Sequence, residues 1–261
     1  MPRTIVVPLD GSHFAERALP VARTLAERFD GRLILLTTRW NAEFGEAEAY
    51  LEQVAAQGDV PVEVQVVHDR APAEAIEVVA LEDADRLVCM TTHGRGALRW
   101  ALLGSVAEDV VKRAHRPVLL VGRHCAPDWS EPFEHLVACV DASSAADPVV
   151  SVSSEWARAL DLDVHLVHVM HPLDYEIDSG VEKVLASEVA QLERAGVHAS
   201  STVLRRSFVP GALADYATKL PAALLVTTSH SRSGLARVAL GSVAMGTVAL
   251  SPCPVLVAKH L

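Results

Sequence analysis

Two acids occupy the same place in two stretches of this chain. The apolar run Ile5–Leu9 ends in Asp10, followed by Gly11 and Ser12; Leu136–Val140 ends in Asp141, followed by Ala142 and Ser143. Two glycine–serine pairs, Gly104-Ser105 and Gly241-Ser242, each open a helical pattern further along. Free backbone N–H groups and the dipole at a helix start favour an anion, typically phosphate. A glycine there lets the backbone come close to a ligand. An Asp opposite such a site suits Mg²⁺ held through a water shell, because hard cations take oxygen ligands. Each residue also has a plainer role. An Asp after a strand caps helices and builds turns, and a glycine can serve tight packing of helix on sheet. Recurrence of the Asp at the same place in both copies favours the ligand reading.

The elements that must position these residues are duplicated. Thr91–Val110 reads TTHGRGALRWALLGSVAEDV and Thr228–Val248 reads TSHSRSGLARVALGSVAMGTV, and each is followed by a Pro-led apolar strand. The first copy alternates short apolar runs with helical patterns. Strands are expected at Thr4–Leu9, Leu33–Thr38, Val62–His68, Arg86–Thr91 and Val118–Val121. Helices are expected after Ser12 and over Glu43–Gln57, Pro72–Glu82 and Gly104–Arg113. The second copy repeats the order, with strands near 136–140, 164–169, 198–204, 222–227 and 255–258. Alternating strands and helices imply a parallel sheet with helices on both faces. The expected architecture is α/β: two tandem domains, 1–123 and 131–261, each with its own five-stranded parallel sheet. The Pro-rich polar segment Gly122–Phe133 reads as the linker. The closing strands Val118–Val121 and Val255–Ala258 are short and apolar, and such edges seek a partner. They are expected at the interface of a pseudo-twofold pair. In such sheets ligands sit beyond the carboxyl ends of the strands, where the strand order reverses.

Composition removes several function classes. Of the 261 residues 50% are hydrophobic and 21% charged, so the chain is not disordered. Net charge is −10, and acids outnumber bases in both halves, which weighs against nucleic acid as a partner. The start MPRTIVVPLD lacks a signal-peptide pattern and no apolar stretch approaches a membrane span, so a cytoplasmic protein away from membranes is expected. Cys89, Cys125, Cys139 and Cys253 form no C-x-x-C pair and read as reduced thiols. His165, His168 and His171 suggest a metal cluster, but residues at odd separation on a strand face opposite sides, so no metal site is expected. His93 and His230 read as hydrogen-bonded loop residues, and Trp129 and Trp156 as packing residues. The segment at 94–96 is no dinucleotide fingerprint, since Arg99 stands where the last glycine is needed. There is no P-loop and no G-x-S-x-G elbow.

These strings resemble the universal stress protein family over nearly the whole chain, as two tandem copies. The family's nucleotide-binding members carry G-x-x-G, nine residues, then G-[S/T]. Thr91-Thr92-His93-Gly94 followed by Gly104-Ser105 fits with Thr91 in place of the first glycine. Thr228-Ser229-His230-Ser231 followed by Gly241-Ser242 lacks both leading glycines. The resemblance implies a Rossmann-like fold of the adenine nucleotide alpha hydrolase type that dimerises and acts in stress adaptation, without a dedicated catalysed reaction. It also implies an ATP site, with Mg²⁺, at Pro8, Leu9, Asp10, Thr38, Met90 and Thr91, with Gly94, Arg95, Gly104, Ser105 and Val106 on the phosphate side. The counterparts in the second copy are Asp141, Val169, Thr228, Ser231, Gly241, Ser242 and Val243. Side chains at Thr228 and Ser231 take up room along the phosphate path, so at most one tightly held ATP is expected, in the first copy. Competing readings are a structural or interaction dimer with decayed pockets, a weak ATPase or adenylyl-transfer enzyme using Arg95 or Arg232, and a receiver-type phosphoacceptor using Asp69.

Overall fold

The computed structural model describes residues 1–39, 44–94, 103–127, 129, 132–141, 148–174, 178–228 and 241–259. The first half runs β1 (Thr4–Pro8), α1 (His13–Glu16), α2 (Ala18–Arg28), β2 (Arg32–Arg39), α3 (Phe44–Ala55), β3 (Val62–His68), α4 (Pro72–Leu81), β4 (Arg86–Thr91), α5 (Ser105–Arg113) and β5 (Val118–Val121). The second runs β6 (His135–Cys139), α6 (Pro148–Leu160), β7 (Asp163–Met170), α7 (Asp178–Arg194), β8 (Ala199–Arg205), α8 (Val209–Ala217), β9 (Ala223–Thr228), α9 (Ser242–Leu250) and β10 (Val255–Ala258). Among the described residues no helix is long and apolar enough to cross a membrane.

Local chemistry accounts for the element ends. Ser12 caps α1, its hydroxyl accepting from the Ala15 N–H at 3.2 Å. The single helix expected after Ser12 is instead two, broken at Arg17. Pro20 lies in the first turn of α2, where it offers no N–H and its ring collides with the carbonyl four residues back, Glu16. Pro72 occupies the first turn of α4, where a missing N–H costs nothing. The duplication is visible in the backbone too: α2 and α6 are each followed by an aspartate in the left-handed region, Asp30 (φ 48°) and Asp161 (φ 58°).

The ten strands form one sheet in the order β3-β2-β1-β4-β5-β10-β9-β6-β7-β8. This corrects the expectation of two separate five-stranded sheets. Within each half every neighbouring pair is parallel; β5 and β10 alone pair antiparallel, Val118 opposite Val257, Leu119 opposite Leu256 and Leu120 opposite Val255. The closing strands therefore meet across the halves, as their apolar edges required. The reason there is one sheet is physical: an unpaired row of N–H and C=O groups on each closing strand finds its complement in the other.

The strand order reads the same from either end, and contacts across the seam follow suit. Gly122, just after β5, lies so close to the Val248 carbonyl of α9 that a Cβ there would sit 2.5 Å from that oxygen. Lys259, just after β10, donates its ammonium to the Val111 carbonyl of α5. Half-burial at that spot lowers the Lys259 pKa. Each face of the sheet carries one core drawn from both halves. Ile5, Leu35, Leu119, Leu136 and Leu256 share one face; Val6, Ile34, Leu120, Leu225 and Val257 share the other. Phe29 of the first half meets Trp156 of the second edge to face, with centroids 6.0 Å apart, and Arg28 donates to the Leu160 carbonyl at 2.7 Å.

A truncation at the seam should therefore weaken both halves together. Leu256→Ala is expected to cost about 2–5 kcal/mol. Urea unfolding followed by far-UV circular dichroism and tryptophan fluorescence should remain one coincident transition, shifted to lower urea. Two separated transitions would show that the halves hold themselves up independently.

Candidate functional site

The strand order reverses between β1 and β4, and the loops leaving their carboxyl ends carry Asp10 and Gly94. A cavity of about 870 Å³ opens there. Ten of the residues expected to bind nucleotide line it: Pro8 at the end of β1, Leu9 and Asp10 after it, Thr38 on β2, Met90 and Thr91 on β4, then Gly94, Gly104, Ser105 and Val106. Arg95 and Ser231, expected as contacts, and Arg99 and Arg232 lie outside the described residues.

Asp10 is held by its own loop. Ser12 donates to Asp10 Oδ1 from its backbone N–H at 2.9 Å and from its hydroxyl at 2.5 Å. Between them Gly11 adopts φ 77°, a conformation that a side chain disfavours. Asp10 thus builds the turn while Ser12 caps α1, and Asp10 Oδ2 lies toward Gly94. A Cβ on Gly94 would come 2.2 Å from Asp10 Oδ2. Gly94 is small so that the carboxylate can stand over the loop leaving β4.

Gly104 is the N-cap of α5, in extended conformation with φ −74°, and no side chain caps the helix. The first N–H groups of α5 therefore face the cavity with the positive end of the helix dipole. Its missing Cβ serves packing rather than access: a Cβ would meet the Thr92 carbonyl oxygen at 3.0 Å, the same oxygen that accepts from the Gly104 N–H at 2.7 Å. Thr91 leaves the cavity open. Its side chain is buried, with the hydroxyl donating to the His93 carbonyl at 2.8 Å.

His93 is a neutral, fixed wall. Its Nε2 lies 3.1 Å from Arg123 Nη2, and a guanidinium only donates, so Nε2 accepts and Nδ1 carries the proton that goes to Thr92 Oγ1 at 2.8 Å. Phe14 packs edge-on against the ring, and Arg17 sits 5.0 Å over Phe14 while donating to the Arg123 and Cys125 carbonyls. The cavity wall is thereby tied to the linker after β5.

The sequence reading missed the contribution of α3 and α4. Glu46, Ala47 and Tyr50 of α3 and Pro72 and Ile76 of α4 line the cavity, as does Glu108 in the first turn of α5. Glu108 pairs with Lys112 at 2.7 Å, and that hydrogen bond raises the lysine pKa. Only the i, i+4 spacing of Glu46 and Tyr50 and the helix start at Pro72 could have signalled these residues. In the second half, Asp141 follows β6, Val169 lies near the end of β7, Thr228 ends β9, Gly241 caps α9, and Ser242 and Val243 open that helix. These are the same places in the topology as in the first half.

Other candidates do not converge. His165 and His168 lie on opposite faces: His165 meets His135, and His168 Nδ1 bonds the Val140 carbonyl at 3.0 Å. Among the described residues no three His, Cys, Asp or Glu side chains come together to hold a metal. Asp69, just after β3, is exposed and outside the lining of the cavity that Asp10 borders. Cys89, Cys125 and Cys253 are all buried; burial pushes the Cys125 thiol to about 12, Cys253 to about 11 and Cys89 strongly upward, so none of the three is a ready nucleophile.

A doubly wound α/β sheet with a crevice at its switch point and an uncapped helix start is the frame of a nucleotide-binding protein class. The sequence model of the universal stress protein family matches residues 40–122 and 132–259, and the chain belongs to that family. It is 26% identical over 240 residues to universal stress protein Rv2623 of Mycobacterium tuberculosis, covering 85% of this chain and 78% of the relative. It is 32% identical over 134 residues to a universal stress protein of Thermus aquaticus, covering 46% of this chain and 98% of that one. The crystal structure of a universal stress protein from Archaeoglobus fulgidus superposes with a TM-score of 0.71 at 20% identity, covering 98% of this chain and 96% of that one; it shares the fold.

The two glycines should respond differently to substitution. Gly104→Val drives its side chain against a backbone oxygen and should destabilise the protein by about 1–3 kcal/mol. Gly94→Ser meets only the far end of an exposed Asp10 side chain, which can swing away, so the cost should stay under about 1 kcal/mol. Thermal denaturation of the two variants measures this; equal losses would mean the loop leaving β4 is as rigid at Gly94 as at Gly104.

Proposed function

We propose that this protein is a stress-response regulator that binds one adenine nucleotide, ATP as its Mg²⁺ complex, in the cavity of its first half. The observation that carries this is the uncapped start of α5 facing Asp10 across a cavity large enough for a nucleotide. Phosphate goes to the N–H groups of Ser105 and Val106 in the first turn of α5, since the Gly104 N–H is spent on the Thr92 carbonyl. The apolar wall of Leu36, Ala47, Ile76 and Met90 suits a purine ring. Asp10, Glu46 and Glu108 place three carboxylates on the cavity, and no Lys or Arg lines it among the described residues. A bare triphosphate would be repelled; a divalent cation on the phosphates offsets that repulsion. Asp10 Oδ2, on the Gly94 side of the carboxylate, is the oxygen that would meet the cation's water shell.

In the same reading the chain is two domains, 1–123 and 131–261, paired as a pseudo-dimer through β5 and β10. The second domain is mainly a structural partner. Ser231 stands where Gly94 stands in the first copy, and a side chain at that place in the first copy would collide with the aspartate. ATP hydrolysis is not part of the proposal, because neutral His93 is committed on both nitrogens.

Calorimetric titration with ATP, with and without Mg²⁺, tests the proposal. One nucleotide per chain is expected, bound more tightly with Mg²⁺. Asp10→Ala should weaken it about tenfold, the scale of one lost charge-assisted contact. Two equal sites would show that Thr228 and Ser231 are tolerated. No binding at all would leave the structural pair as the function.

A further inference from the structure

The amino ends of β6 and β7 carry a histidine cluster that the first half lacks. His135 Nδ1 and His165 Nε2 are 3.3 Å apart, with ring centroids at 5.2 Å. His165 Nδ1 lies 3.3 Å from both the Ser200 hydroxyl of β8 and the Tyr216 hydroxyl of α8. Register identifies the counterparts. His165 stands opposite Val137 as Ile34 stands opposite Val6, and His135 opposite Asp163 as Thr4 opposite Arg32. Tyr216 is the eighth residue of α8, as Val79 is of α4. Ile34 and Val79 are buried core residues. One fold thus carries the non-titrating Thr4, Ile34 and Val79 in one half and a histidine pair with Tyr216 in the other.

We propose that His135 and His165 form an acid-responsive joint that loosens the second half of the protein, and only that half, as pH falls. With both rings neutral, one N–H lies between them, whichever ring donates. His165 Nδ1 then meets the hydroxyls of Ser200 and Tyr216, which can donate or accept. A proton on both rings puts two cations 3.3 Å apart, with N–H facing N–H. Little nearby offsets this. Asp163 on β7 is the one acid facing the pair, and it is half exposed and already paired with His198 at 3.3 Å. β9 and α9 carry no titratable side chain, and Asp215 and Lys219 at the end of α8 are exposed. Burial first, then the neighbouring His135, holds the His165 pKa below its ordinary 6.5. The unfolded chain therefore binds more protons than the folded one just under 6.5. Stability is full above that value and is lost as pH falls through the folded pKa.

Hydrogen exchange of the intact chain, followed by mass spectrometry and corrected for intrinsic rates, tests the joint between about pH 7.5 and about pH 5.5. Protection of β7 and β8 should fall roughly tenfold, the equivalent of one pKa unit, while β2 and β3 hold. His165→Ile and His135→Thr install the first-half residues and should each remove the acid response. Equal loss in both halves, or an unchanged response in both variants, overturns the proposal. Should a variant misfold, imidazole NMR titration of the parent decides. One histidine of the pair must titrate clearly below 6.5, and two ordinary titrations near that value would refute the joint.

Discussion

Everything in this molecule hangs on three residue pairs between β5 and β10. Each half on its own would end in a short, wholly apolar closing strand with one row of backbone groups unsatisfied. Antiparallel pairing of Val118–Leu120 with Val255–Val257 satisfies both rows at once and makes the core on each face continuous. The close packing of Gly122 on α9 and the reach of Lys259 to α5 exist because the seam brings each half's closing strand under the other's last helix. With this edge consumed internally, the open edges left are β3 and β8.

The seam also fixes where the sites can be. Parallel strands within a half place all carboxyl ends on one edge of the sheet, and the switch between β1 and β4 opens the crevice there. Within that crevice the chain relies on small residues for different reasons. Gly94 admits a carboxylate, Gly104 admits a backbone carbonyl, and Gly11 supplies a left-handed turn. The spaced glycines therefore meet three separate steric demands, of which only the first bears directly on a carboxylate that lines the cavity.

Much of this was legible in the sequence because local signals were strong. Val62–His68, Arg86–Thr91, Val118–Val121 and Val255–Ala258 are strands with the bounds expected, each a short β-branched or apolar run between turn residues. Asp10, Gly94 and Gly104 were readable as neighbours from strand order alone. The break at Arg17 was also local, but it required weighing Pro20 against an otherwise helical pattern. What stayed hidden depends on register and tertiary approach. Glu46 and Tyr50 reach the cavity because α3 packs beside β2 and β3. The Gly104 contact with Thr92 needs the actual turn. His135 and His165 are thirty residues apart and look unrelated until the β6–β7 register sets them on one face. The odd spacing of His165 and His168 correctly separates those two, yet no spacing within one strand can reveal a partner on the next.

The antiparallel seam has one more geometric effect. Because the halves run in opposite directions, the carboxyl ends of β1–β5 and the amino ends of β6–β10 lie on the same edge of the sheet. The first-half cavity and the histidine joint therefore share an edge, with β4, β5, β10 and β9 between β1 and β6. At about 4.8 Å per step the five steps from β1 to β6 span about 24 Å. That is well beyond a Debye length at physiological salt, so charge on the histidines reaches the cavity only weakly through solvent. Any influence of the histidine pair on the cavity must pass through the sheet, and its narrowest point is the three-pair seam. At the places matching His165 and Tyr216 the first half carries Ile34 and Val79, which do not titrate, so the proposed joint has no counterpart there. The two halves thus keep one strand order while differing at the places of His135, His165 and Tyr216, which are buried in the first half and half-buried in the second.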